Sequence, residues 1–126
     1  MLYPENLIKR VSEIGVLACE QGRLQDAEVI FGGVAAIADD VTSHTAAGLG
    51  MAATKIAGGD FESGVKLLSD NLAALDYENM DALALLVFAM KRSGREQDAE
   101  ELIPRLTSNP DFKGSLAEEI LLAAEG

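Results

Sequence analysis

A chain of 126 residues that is 48% hydrophobic but only 5% aromatic, with no Trp, is long enough for one domain with a real core. Alanine and leucine must fill that core, which points to closely packed helices. The net charge is −11 at pH 7, spread evenly: three basic against seven acidic residues over 1–40, two against five over 41–78, five against nine over 79–126. Such a chain repels nucleic acid and anionic membrane surfaces, although the same acidity also serves plain solubility. With 25% charged residues and clear periodicity, disorder is not expected.

The opening "MLYPENLIKR" has no basic region followed by an apolar stretch, so no secretory signal is expected. The single Cys19 excludes an internal disulfide and fits a reducing compartment. The longest low-charge run, Val41 to Thr54, is interrupted by polar residues and glycine and is no membrane span. A cytoplasmic protein is the natural expectation. In chain order the pattern predicts an all-α protein with helices near 5–21, 24–38, 44–57, 61–75, 80–93, 96–107 and 115–124. Pro104 falls inside the sixth and predicts a kink or early end there. Ser115 and Glu118 in "SLAE" predict a reciprocal cap at the start of the seventh. Its stripe of Leu116, Ile120, Leu121 and Ala124 has helical spacing and is expected to face inward, covering the end of what precedes it.

One phrase recurs: "GRLQDAEVIF" from Gly22, "GDFESGVKLL" from Gly59 and "GREQDAEELI" from Gly94, the glycines 37 and 35 residues apart. Five residues after each glycine stand Ala27, Gly64 and Ala99. Nine after it stand Phe31, Leu68 and Ile103, and seven before it Gly15, Ala52 and Val87. Small residues let paired helices approach, and the bulky ninth position fills the space between neighbouring pairs. Three helix hairpins, about 5–39, 42–76 and 79–111, and a closing helix about 115–124 follow as one domain.

Chemistry is sparse. His44, the only histidine, has no Cys, Asp or Glu at metal-ligand spacing, and a surface or capping role is expected for it. Cys19 has no histidine nearby in sequence to activate it. Asp98, Glu100 and Glu101 read as dipole compensation at a helix start, and Asp39-Asp40 as a polar turn. "GGDFESG" lacks the lysine and hydroxyl of a phosphate loop. No enzyme, cofactor or metal is expected.

The small-residue, turn-glycine, alanine and bulky-residue pattern resembles the tetratricopeptide repeat (TPR), over residues 8–113. It departs from that family early in the first helices, where Val11, Gly48 and Leu83 replace a large aromatic. Asp39 and Asp76 replace the closing proline, while Pro110 is kept one place early. The resemblance implies a right-handed superhelical solenoid whose first helices line a concave groove. Carried over position by position, it implies groove residues Lys9, Ser12, Val16, Cys19 and Glu20, then Ala46, Leu49, Ala53, Ile56 and Ala57, then Asp81, Ala84, Phe88, Lys91 and Arg92. The middle of that set is apolar, which suits an amphipathic helix rather than a compact anion. Interhelical core is the alternative role for several of these positions.

Two longer stretches, "AEVIFGGVAAIADDVTSHTAAGLGMAATKIAGGDFESGVKLLS" and "NPDFKGSLAEEILLAAEG", resemble the TPR chaperones of type III secretion. That resemblance implies a small acidic chaperone that grips a helix of a secreted subunit and keeps it unpolymerised. Two branches are open. Length and groove composition favour the co-chaperones of needle subunits, which can act with a second small chaperone. The "GLG" region favours the chaperones of translocators. A homodimer is a further expectation, and a general TPR scaffold joining folded proteins is the alternative from another class.

Overall fold

The computed structural model describes residues 5–38, 40–74 and 80–125. Among them are seven helices and no strand: α1 (Glu5–Glu20), α2 (Leu24–Ile37), α3 (Val41–Ala57), α4 (Phe61–Ala74), α5 (Met80–Arg92), α6 (Glu96–Thr107) and α7 (Leu116–Glu125). Asp39 and Asp76, expected at the repeat boundaries, lie outside the described residues, as do the side chains of Lys9 and Ser12. No described helix is long and apolar enough to cross a membrane.

The three recurring glycines produce one local structure. Gly22, Gly59 and Gly94 take φ of 76°, 85° and 84°, a left-handed conformation that side chains with a Cβ rarely adopt. After each, the next amide donates to the carbonyl five residues back: Arg23 to Ala18 at 2.8 Å, Asp60 to Lys55 at 2.9 Å and Arg95 to Met90 at 2.8 Å. That bond satisfies a carbonyl the ending helix leaves open. The small positions around these turns are buried: Gly15, Ala52 and Val87 before the glycine, Ala27, Gly64 and Ala99 after it.

One helix start and one expected break differ from expectation. α3 starts at Val41 rather than near 44, because Asp40 is its N-cap: one carboxylate oxygen accepts from the Ser43 amide at 2.6 Å and the other from the Ser43 hydroxyl at 3.0 Å. α6 continues past Pro104 to Thr107, so the proline does not end it.

The contacts divide the chain into two compact units, Met1–Asp60 and Phe61–Gly126. The boundary falls within the second expected helix pair. In the first unit α2 packs on both α1 and α3, and α1 also meets α3. Phe31 of α2 lies at the centre: a Cβ at Gly15 of α1 would stand 2.8 Å from its ring, and one at Gly50 of α3 would overlap it. The ring therefore rests directly on two helix backbones. One turn on from Gly50, the buried Thr54 donates its hydroxyl to the Gly50 carbonyl at 2.8 Å, so no polar group is stranded there.

In the second unit α5 is the hub, packed by α4, α6 and α7. Its residues Ala82, Leu83, Ala84, Leu86, Val87, Ala89 and Met90 are all buried. α7 packs along α5 rather than α6. Its start is fixed by Ser115, whose hydroxyl accepts from the Glu118 amide at 3.2 Å. The Glu118 carboxylate reaches back to the Gly114 amide at 3.1 Å, one residue before the expected partner, because the Ser115 amide already donates to Phe112. The inward stripe is Ala117, Leu121 and Ala124 with Ile120 half-buried; Leu116, expected inside, is 57% exposed.

Candidate partner-binding surface

The residues that the repeat pattern assigns to a groove fall in both units, and each unit treats them differently. In the first, Val16 and Ala57 are exposed, while Cys19, Leu49, Ala53 and Ile56 are half-buried, so each offers some apolar surface. Leu49, Ala53 and Ile56 share one face of α3 through their spacing of four and three. Cys19 packs beside the buried cluster of Ala18, Ala27 and Phe31. The side chain of Ser12 is outside the described set.

In the second unit the assigned positions are occupied. Ala84 is 0% exposed and belongs to the core, because α5 is covered on several sides; it presents no binding surface. Phe88 is half-buried, its ring 6.3 Å from that of Phe61 on α4 and tilted by 59°. The Arg92 guanidinium stands over the other part of its surroundings, 5.0 Å from the ring centre. Lys91 is no free cation. Its side chain is 10% exposed and its ammonium lies 3.2 Å from Glu125, 3.3 Å from Glu100 and 3.7 Å from Glu96. Burial alone would pull its pKa down, but the hydrogen bonds to Glu125 and Glu100 outweigh that and hold it above the usual 10.5. Arg92 donates to the Ala123 carbonyl at 3.3 Å.

An apolar surface that the repeat positions do not include appears on the first unit. Ile14 and Leu17 of α1 and Val29 of α2 are exposed, Val29 by 75%. They line a shallow cleft of about 310 Å³ with Ala18 and Ile30, and Arg23 and Asp26, paired at 2.7 Å, stand at its edge. In sequence these residues carry the same spacing as core positions, so only the packing separates them. The second unit's larger cleft, about 500 Å³, is polar, lined by Ser63, Lys66, Ser69 and Asp70 and by Arg95, which pairs with Glu62 at 2.8 Å.

His44 is exposed in the first turn of α3, its amide donating to the Asp40 carbonyl at 3.1 Å. Glu100, one of the acidic residues of α6, serves as a partner of Lys91. Among the described residues no three His, Cys, Asp or Glu side chains converge as a metal site would require. No protein-family model, curated protein or solved structure matches this chain, so its function is argued from its own residues.

Proposed function

We propose that this chain is a protein-binding helical-repeat module of the TPR kind, acting as a chaperone of type III secretion that shelters an amphipathic helix of a secreted subunit. The observation that carries the reading is the threefold recurrence of one turn, with the same left-handed glycine, the same five-residue-back hydrogen bond and buried small residues at the same offsets. The apolar residues left partly open on the first unit, Val16, Leu49, Ala53 and Ile56, supply the surface such a client would cover. The net charge of −11 suits a cytoplasmic carrier that must stay soluble while holding an aggregation-prone helix.

The mechanism is competitive burial. A subunit that polymerises through an apolar helix face cannot add to its neighbour while that face is covered. An interface of about 1,600 Å² in total would be of standard size for a stable complex, with affinity decided by a few buried anchors rather than by area. The apolar composition of the groove positions favours needle-type clients over translocators. No catalytic step is part of this reading.

A second reading is a scaffold that holds two proteins at once. It is favoured by one observation, the exposed Ile14, Leu17 and Val29, which lie outside the groove positions and give a second apolar contact. A small co-chaperone or a second copy of the chain would be such a contact.

Co-expression with neighbouring gene products, followed by affinity purification, tests both. A small helical protein that is insoluble alone and stays bound supports the chaperone reading, and Leu49→Asp should abolish its recovery with helix content unchanged. Leu49 is a better probe than Phe88, whose replacement by Asp would also disturb Phe61 and Arg92. Recovery of folded partners that are stable without this chain would overturn the chaperone reading in favour of the scaffold.

A further inference from the structure

Two glycines of α2 have no task in the packing of the chain itself. Gly32 and Gly33 stand in the second half of the helix, both exposed. Neither takes a positive φ. Among the described residues, a Cβ at Gly33 would meet nothing within 4 Å, and one at Gly32 only the end of Met51 at 3.9 Å. Gly15 and Gly50 are different, since their missing Cβ admits the Phe31 ring. Glycine inside a helix is less favourable than alanine, so Gly33 weakens α2 with no return inside the chain. What an exposed helical glycine does provide is a place where a second helix can approach closely.

Gly33 follows Val29 and Ile30 by one helical turn and shares their face. Val29 is 75% exposed, and with Ile30 it lines the apolar cleft whose other wall is Ile14 and Leu17 of α1. The glycine therefore extends that cleft along α2.

The charges around it have one sign. Glu13 and Glu20, one turn either side of Leu17, are exposed and meet no cation among the described residues. Arg23, the one cation lining the cleft, is taken up by Asp26 at 2.7 Å. The last turn of α2 has no basic residue to offset the negative end of its dipole, and the exposed Asp40 follows. A second copy of this chain would set carboxylates against carboxylates. A helix with Lys or Arg beside its apolar seam meets them with opposite charge.

We infer that this cleft is the docking face for a basic amphipathic helix of another protein, which crosses α2 at Gly33 with its apolar seam between α1 and α2. The inference names the chemistry of the second contact described above, and it rests on the reading of the chain as a protein-binding module.

The test uses the full chain and two fluorescein-labelled, helix-stapled model peptides with the same alanine–leucine seam, one flanked by Lys and the other by Glu. Anisotropy should show the Lys peptide binding at least tenfold more tightly. Gly33→Leu should weaken that binding at least tenfold while raising the urea midpoint, opposite signs that a purely structural glycine would not give. Should that variant misfold, Leu17→Ser decides, with a similar loss at unchanged helix content. No binding of the Lys peptide overturns the inference. So does binding that neither substitution weakens, because charge attraction alone would then explain it. A dimer of the chain that Gly33→Leu dissociates would give the face to a second copy and also overturn it. Leu49→Asp should leave peptide binding unchanged, so this test is separate from that of the client. A client recovered by a chain that binds no peptide sinks this inference alone, and peptide binding without a client sinks the chaperone reading alone.

Discussion

The two units use one turn grammar but finish their surfaces in opposite ways. The first builds its interior from alanine, glycine, Val34, Thr54 and one buried aromatic ring, and leaves Ile14, Val16, Leu17 and Val29 in solvent. The second buries Leu68, Leu72, Leu83, Leu86 and Leu106 around a central α5 and lays α7 over it. Its exposed large apolar residues, Leu116 and Leu122, sit on that covering helix. The lesson is that repeated local structure does not dictate repeated exposure. What lies beside a helix decides whether a given offset is binding surface or core.

The difference can be broken at its strongest point by Phe31→Ala, which should cost about 3–5 kcal/mol as a buried aromatic lost from a close-packed centre. Amide exchange should quicken in α1–α3 well before α4–α6; equal acceleration in all helices would show that the two units melt as one. Gly50→Ala comes next. Alanine would gain about 0.5–1 kcal/mol of helix propensity, but its Cβ overlaps the Phe31 ring, and overpacking of this kind costs about 1–3 kcal/mol. A lowered urea midpoint is expected, and a raised one would show that the ring has room to move.

Alkaline pH sharpens the contrast between the two lysine ties. Lys55 meets one carboxylate, Glu28 at 2.8 Å, and that hydrogen bond, with the charge behind it, raises its pKa above 10.5. Lys91 meets three, from α6 and α7, and is raised as well. A folded-state pKa above the unfolded value contributes stability that is complete below about 10.5 and lost as pH rises through the raised value. The melting difference between the unaltered chain and Lys91→Met should therefore be present at pH 8 and shrink as pH rises above 10.5 through the raised pKa. A difference that persists would mean that the aliphatic stem, not the charge, joins α6 and α7 to α5. The smallest effect is expected at the open apolar residues: Val29→Ser should change stability by no more than about 0.5 kcal/mol. If equilibrium unfolding shows a larger loss, that side chain is covered in solution.

The helices and their turns were legible because glycine at a turn and small residues at set offsets are backbone requirements, which a sequence states directly. The start of α3 was less so, since Asp40 could be read as a turn residue until its carboxylate is seen on Ser43. Ala84 lies in the core, a role its spacing also allowed, and Lys91 is held by carboxylates that its spacing does not reveal. Their offsets on α5 are regular, but α7 arrives from a remote part of the chain and takes up their surroundings. Leu116 points outward because the Ser115 cap sets the rotation of α7. Ile14 and Leu17 show the converse, apolar residues at core spacing with no described neighbour to bury them.

The seating of Phe31 on Gly15 and Gly50 has a consequence for how this protein can vary. Three residues on three helices share one space, so none can change by itself without leaving a void or forcing an overlap. A methyl group gained at position 50 needs a smaller side chain at position 31, and a smaller side chain at 31 needs something to fill the space at 15 or 50. Positions 15, 31 and 50 form a single inherited character spread over three segments of chain.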